Sequence, residues 1–289
     1  GVFWTVQAKG AAAVEMLPPG RWNAHWAAAA VDAVRRALLE KIETLYAEPA
    51  AGFMKGLLAG AGREVDPEQY RTFSQIGLTH ILAISGLHVA LFAGALLWLL
   101  ARFPVARETR LAIAMLAVPA YVVLTGAAPS AVRAGLMAVI ALYAARRRLL
   151  KDGLHILAAA AVLMLLVRPF YLYDVGFQLS FTVAAGLIAL VPPLDERLKA
   201  VRPKTLRSLL SVTIVAQFVS FPLTIAYFNQ FHLLSFPANF VLVPLFSTVV
   251  LPLGYLSLLL SFAADAPAQW AARLAELAAS AGFAAAERL

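Results

Sequence analysis

Residues 208–264 run for 57 positions without an aspartate, glutamate, lysine or arginine. With ~1.5 Å of rise per helical residue and hydrocarbon about 30 Å thick, such a run can cross a bilayer two or three times. Pro222, Pro237, Pro244 and Pro252 interrupt it. Two crossings are expected, with residues 235–244 as a broken or re-entrant piece, because helix-breaking backbone survives at membrane depth only where protein or water surrounds it. Uncharged runs at 72–101, 111–132 and 175–194, and shorter apolar runs at 134–145 and 153–167, bring the expected total to about seven crossings. The fold class is therefore an all-α polytopic membrane protein. Composition agrees, being 62% hydrophobic and 14% charged against about 45–50% and about 25% in globular chains.

The flanks are more polar. In residues 20–71, Val31, Val34, Leu38, Ile42 and Leu45 recur at three and four positions while charges fill the other faces. That pattern predicts an amphipathic helix, either lying at the membrane surface with Trp22 and Trp26 as anchors or packed on protein. Asp66-Pro67-Glu68-Gln69 then reads as a helix start, with Asp66 as cap, Pro67 in the first turn and Gln69 reaching back. Residues 265–289 are Ala-rich with few charges and predict an interfacial helix. The loose alternation of residues 1–10 suits the tail of a preceding extracytoplasmic domain. The chain starts at Gly1 without a signal-peptide pattern and is expected to be a piece of something longer.

The net charge of +8 suits either basic cytoplasmic loops or an anionic partner such as nucleic acid. Arg102, Arg107 and Arg110, then Arg146, Arg147, Arg148 and Lys151, then Arg197, Lys199, Arg202, Lys204 and Arg207 follow the first, third and fifth apolar runs. By the positive-inside rule these loops face the cytoplasm. With no cysteine there is neither a disulfide framework nor thiolate chemistry.

Polar residues inside the apolar runs mark the candidate site. On a regular helix through residues 72–101, His80, Ser85 and His88 share an arc of about 140°, a face expected to point away from lipid. The two histidines would stand ~12 Å apart, too far to share a metal, and no metal or other cofactor is expected. Arg133, just after a helix start at Pro129 and Ser130, sits where the helix dipole disfavours a cation and breaks the loop-charge rule. It wants a carboxylate or a phosphate. Arg168 lies at the same outer level. Asp174 can cap the helix that begins there, with Gln178 one turn deeper. Gln217, Ser220 and Asn239 suit interhelical hydrogen bonding or a polar path.

The stretches His80-Ile81-Leu82-Ala83-Ile84-Ser85-Gly86-Leu87-His88-Val89, Thr125-Gly126 with Pro129-Ser130 and Arg133-Ala134, Asp174-Val175-Gly176-Phe177-Gln178-Leu179-Ser180-Phe181, and Asn239 followed by Pro244 resemble, in this order, the signature stretches of the ComEC competence-protein family. The resemblance covers roughly residues 50–289. It implies a polytopic inner-membrane channel that passes one strand of transforming DNA into the bacterial cytoplasm during natural competence. Its implied partners are single-stranded DNA, a DNA receptor outside and a helicase-type motor inside. The family's OB-like domain and its metallo-β-lactamase-like, nuclease-type domain are not expected within this chain. With no His-x-His-x-Asp-His cluster and no Walker A sequence, the chain is expected neither to hydrolyse DNA by itself nor to supply the energy.

In that role Arg133 and Arg168 would receive the DNA backbone at the outer mouth, and Phe177, Phe181, Phe218, Phe221, Phe236 and Phe240 offer surfaces for bases. His80, Ser85, His88, Ser130, Asp174, Gln178, Gln217 and Asn239 complete the candidate path. Two other classes stay open. A secondary transporter of a small anion would also use Arg133, Asp174 and a broken helix. An intramembrane serine hydrolase would use Ser85, His88 and Asp174, although an i, i+3 pair on one helix would struggle to bring imidazole to hydroxyl. The small-residue faces at 158–161 and 184–186 are the expected contacts of a homodimer.

Overall fold

The computed structural model describes residues 24–82, 84–149, 152–229 and 235–287. The expected tail at residues 1–10, the anchor Trp22 and Lys151 lie outside them. Twelve α-helices follow one another, and no strand occurs among the described residues. They are α1 (Ala24–Leu45), α2 (Ala50–Ala59), α3 (Pro67–Gln75), α4 (Gly86–Leu100), α5 (Arg107–Leu124), α6 (Pro129–Arg146), α7 (Gly153–Val167), α8 (Val175–Arg197), α9 (Lys204–Phe228), α10 (Ser235–Leu245), α11 (Leu251–Leu260) and α12 (Asp265–Ala286). Among the described residues, four stretches are long and apolar enough to cross a membrane: Thr79–Leu100, Val175–Arg197, Lys204–Phe228 and Pro237–Leu260.

Among the described residues, two apolar clusters join nine of these helices. The first joins the end of α1, α2 and α3 to α10, α11 and α12, around the rings of Phe53, Phe73, Phe246 and Phe283. The second joins Ile84 and α4 to the α5–α6 hairpin. Ile42 of α1 and Tyr46 just after its end are buried in the first cluster, so α1 packs on protein. On α12, Ala268, Ala271, Ala272, Ala275 and Ala279 form a buried stripe, while Trp270, Leu274 and Leu277 project outward from the same helix. Gly60 ends α2 in the left-handed conformation, φ 71°, and a side chain there would stand 2.7 Å from the Thr125 carbonyl oxygen. Glycine thus lets α2 close on the α5–α6 turn.

The structure corrects three sequence expectations. The run 72–101 is not one regular helix. After α3 comes a 3₁₀ turn, Thr79–Ile81, and α4 starts only at Gly86 with Ser85 extended, φ −117° and ψ 177°. His80, Ser85 and His88 therefore do not share a helical face. Next, residues 235–244 are no separate re-entrant piece. α10 and α11 are joined by a π-helical turn, Phe246–Val250, whose flanking residues stay helical. The wider turn leaves room for the Pro252 ring, which a regular α turn would drive into the carbonyl of residue 248. Finally, Asp66 caps α3 by accepting from the Glu68 and Gln69 N–H groups at 2.9 and 3.1 Å, but Gln69 does not close the capping box. Its Oε1 is buried without a hydrogen-bond partner.

Candidate functional site

The break before α4 is held from outside. Ser130, in the first turn of α6, donates its Oγ–H to the Ile84 carbonyl at 2.8 Å. This joins the first signature stretch to the second. Next along the chain, the Ser85 N–H donates to His88 Nδ1 at 3.2 Å, and Ser85 Oγ stands 3.0 Å from the same nitrogen. An N–H can only donate, so Nδ1 carries the lone pair and the proton of a neutral imidazole lies on Nε2. His88 here plays the part that glutamate or glutamine plays in a capping box.

Imidazole and hydroxyl therefore do meet, contrary to the sequence expectation, because Ser85 is the extended cap and not a helical residue. A hydrolytic triad does not follow. Asp174, the orienting carboxylate by residue type, accepts from the Phe177 N–H at 2.8 Å and caps α8. His88 is buried, and its Nε2 has no hydrogen-bond partner.

Arg133 is where the signature stretches converge. From α6 its Nη1 donates to the Ser180 carbonyl of α8 at 3.1 Å, and its guanidinium lies 5.9 Å from the centre of the Phe181 ring. A Cβ on Gly86 of α4 would stand 3.9 Å from its Nη2. Backbone from the first stretch, the cation from the second and a carbonyl and ring from the third thus surround one half-buried guanidinium. Among the described residues no carboxylate lies within ion-pair distance of it. Its Nε and the Ser180 Oγ are buried and have no hydrogen-bond partner.

An aromatic series leads away from Arg133. Phe181 and Phe177 centroids are 4.3 Å apart, Phe177 and Tyr171 stack at 6.2 Å, and the Arg168 guanidinium lies 5.4 Å from the Tyr171 ring. An arginine stands at each end. Phe177 is only 5% exposed, which makes it a packing spine, whereas Phe181 and Tyr171 are half-buried and Arg168 is exposed.

The other candidates are dispersed. Gln178 donates its Nε2–H to the Leu172 carbonyl at 2.7 Å and accepts from the Tyr227 hydroxyl at 2.6 Å, tying α8 to the end of α9. Asn239 donates to Gln217 Oε1 at 3.5 Å, pairing α10 with α9. His80 is exposed in its 3₁₀ turn. Among the described residues no group of three His, Cys, Asp or Glu side chains could hold a metal ion. Of the expected stacking rings, Phe218 is 75% exposed on the outside of α9. The proposed dimer contact at 184–186 is partly used within the chain, because Gly186 packs against Val219 of α9.

Ser180, Tyr227 and the Ile84 carbonyl bond to candidate residues without having been candidates themselves. Ser180 lies inside a signature stretch, but only the fold brings it to Arg133, 47 positions away.

The family model described as Competence protein matches residues 57–289. ComE operon protein 3 of Bacillus subtilis (strain 168) is 32% identical over 219 residues, covering 76% of this chain and 28% of that protein. Competence protein ComA of Neisseria gonorrhoeae is 34% identical over 225 residues, covering 73% of this chain and 31% of its own length. The chain thus spans less than a third of either relative. No solved structure matches. The match over residues 57–289 takes in every signature stretch that meets at Arg133, and the chain belongs to the competence protein family, of the ComEC type.

Proposed function

We propose that this chain is the membrane part of a channel that imports single-stranded transforming DNA into the bacterial cytoplasm. The observation that carries the reading is Arg133. A guanidinium withdrawn from water without a carboxylate is costly, and such a group is retained where an anion completes its coordination. Nε of Arg133 and Oγ of Ser180 are the donors left unspent, and both suit a phosphate oxygen. The half-buried Phe181 and Tyr171 give flat surfaces beside them for bases, as sequence-tolerant binding of single strands requires.

In this reading the protein sits in the cytoplasmic membrane with about seven crossings: α4 to α9 and the continuous α10–α11. The Arg133 end lies outside and the three basic loops inside. The family model and the Neisseria relative are named for competence, and the setting that goes with the proposed import is a DNA receptor outside, a helicase-type motor inside, and another part of the assembly supplying any nuclease activity. If two copies pair, the exposed Ala158 and Ala159 of α7 offer the small-residue contact.

The test uses a naturally transformable host that carries the complete protein. Labelled DNA reaching the cytoplasm is scored for wild type and for Arg133→Gln at matched membrane abundance. Loss of internal DNA with unchanged DNA on the cell surface supports the reading. Normal arrival in the variant removes Arg133 from the path, and normal arrival after deletion of the protein overturns the function.

A further inference from the structure

The α5–α6 hairpin carries a second basic site at its other end. α5 and α6 are antiparallel, joined by the short turn after Leu124, and Arg146 stands thirteen positions beyond Arg133 on α6, ~20 Å of helix. At the Arg146 end, a cavity of about 200 Å³ is lined by Leu97, Arg107, Arg110 and Leu111. Two of its walls are leucines and two are arginines, with no carboxylate among them. A neighbouring cavity of about 230 Å³ has Glu108 beside Arg146 and Arg147, so its charge is compensated in part.

The two arginines of the first cavity are poorly paired. Arg110 Nε is buried without a hydrogen-bond partner, and Arg110 makes no ion pair among the described residues. Arg107 reaches the Ala145 carbonyl only at 3.4 Å and Glu108 only at 3.9 Å. Both arginines lie in the first turn of an 18-residue helix whose N-cap, Ala106, offers no side-chain acceptor, so the N-terminal N–H groups add to the positive potential.

The surroundings fix the depth in the membrane. Trp98, 61% exposed, lies under the Arg102 guanidinium at 4.2 Å, and Phe103 is also exposed. Trp and Phe beside arginine at the end of an apolar helix mark the headgroup layer. Arginine clusters between transmembrane helices on the positive side are the chemistry that holds anionic lipid headgroups. We infer that the Leu97–Arg107–Arg110–Leu111 cavity binds an anionic phospholipid, its phosphate between the two guanidinium groups and its acyl chain along Leu97 and Leu111. This site is separate from the DNA path and does not depend on it.

The test is thermal unfolding and native mass spectrometry of the full chain in detergent, titrated with phosphatidylglycerol, with phosphatidylcholine and with soluble glycerol phosphate. Wild type should retain phosphatidylglycerol selectively and unfold at a higher temperature with it. Arg107→Gln with Arg110→Gln should weaken that lipid by roughly five-fold per arginine removed, while Arg202→Gln, at another basic loop, should not. Should the double variant fail to accumulate folded, Arg110→Gln alone is compared with wild type in the same titration. Equal effects of both lipids, an undiminished effect in the variants, or the same stabilisation by glycerol phosphate without acyl chains would each overturn the lipid site. The last outcome would assign it to a free phosphate.

Discussion

Ser130 and Ile84, 46 positions apart, are joined by a 2.8 Å hydrogen bond from the Ser130 hydroxyl to the Ile84 carbonyl. Ile84 precedes the extended cap of α4, so its carbonyl lies outside the helix and has no ladder partner there. Ser130→Ala leaves this carbonyl unsatisfied in a half-buried place, a loss of about 1–3 kcal/mol. The expected outcome is a lower unfolding temperature in detergent and reduced DNA arrival at equal abundance. Unchanged stability and arrival would show that the break holds its shape without α6.

Arg133 separates charge from shape. Arg133→Lys keeps a cation but loses the planar fork that meets the Ser180 carbonyl and lies near the Phe181 ring. Arg133→Gln loses the charge. The expected order of internalised DNA is wild type, then Lys, then Gln, with DNA at the cell surface equal in all three. Equal loss in Lys and Gln would assign the residue to packing geometry and not to attraction of phosphate.

Asp174 tests the opposite assignment. Its carboxylate accepts from the Phe177 N–H, and Gly176 leaves space beside it, where a Cβ would come within 3.1 Å of Oδ1. Asparagine caps as well as aspartate, whereas alanine costs about 1 kcal/mol. Asp174→Asn should therefore keep both stability and DNA arrival, and Asp174→Ala should lower the unfolding temperature. A loss of DNA arrival in stable Asp174→Asn would show that the charge itself acts on the path.

What sequence alone makes legible here is local. The caps at Asp66 and Asp174, the start at Pro129 and the apolar runs each depend on neighbours a few positions away. The break between Ile81 and Gly86 is not legible, because residues 72–101 are uncharged throughout and only the bond from Ser130 and the packing of Ile84 explain where the helix restarts. Pro244 and Pro252 mislead in the other direction, since Pro244 sits within α10 and a π turn makes room for Pro252. The convergence on Arg133 is a meeting of three distant segments. The stretches that supply them are visible as motifs, but nothing in their spacing says that a guanidinium would face the Ser180 carbonyl.

Lys55 predicts a pH dependence. It is 5% exposed in α2 and paired with Glu43 of α1 and, at 2.7 Å, with Glu64. Burial pushes its ammonium down, but the two carboxylates outweigh burial and hold it above the ordinary lysine range. A group raised in the folded state contributes its stability fully below the unfolded value, ~10.4, and loses it as pH rises through the folded value. The difference in unfolding temperature between wild type and Lys55→Met should stay constant from about pH 6 to pH 9 and shrink only above the lysine range. Its size should fall short of the roughly 3–5 kcal/mol of a fully buried pair, because Glu43 and Glu64 are 55% and 42% exposed and can rehydrate. A difference that fades between pH 7 and 9 would contradict the raised ammonium.

Gly186 and Val219 set the spacing of α8 and α9, the hairpin that carries Ser180. A Cβ at Gly186 would stand 2.6 Å from one Val219 methyl and 3.0 Å from the other. Valine in a helix is held to one rotamer, so it cannot swing aside, and Gly186→Ala should destabilise by about 1–3 kcal/mol through overpacking. The hairpin must open to fit the new methyl, which draws the Ser180 carbonyl from Arg133, so DNA arrival should fall together with stability. Val219→Ala added to Gly186→Ala removes the clashing methyls and should restore both. A double-mutant cycle in thermal unfolding measures the coupling. Simple additivity of the two substitutions would mean that the helices are not in contact at this pair.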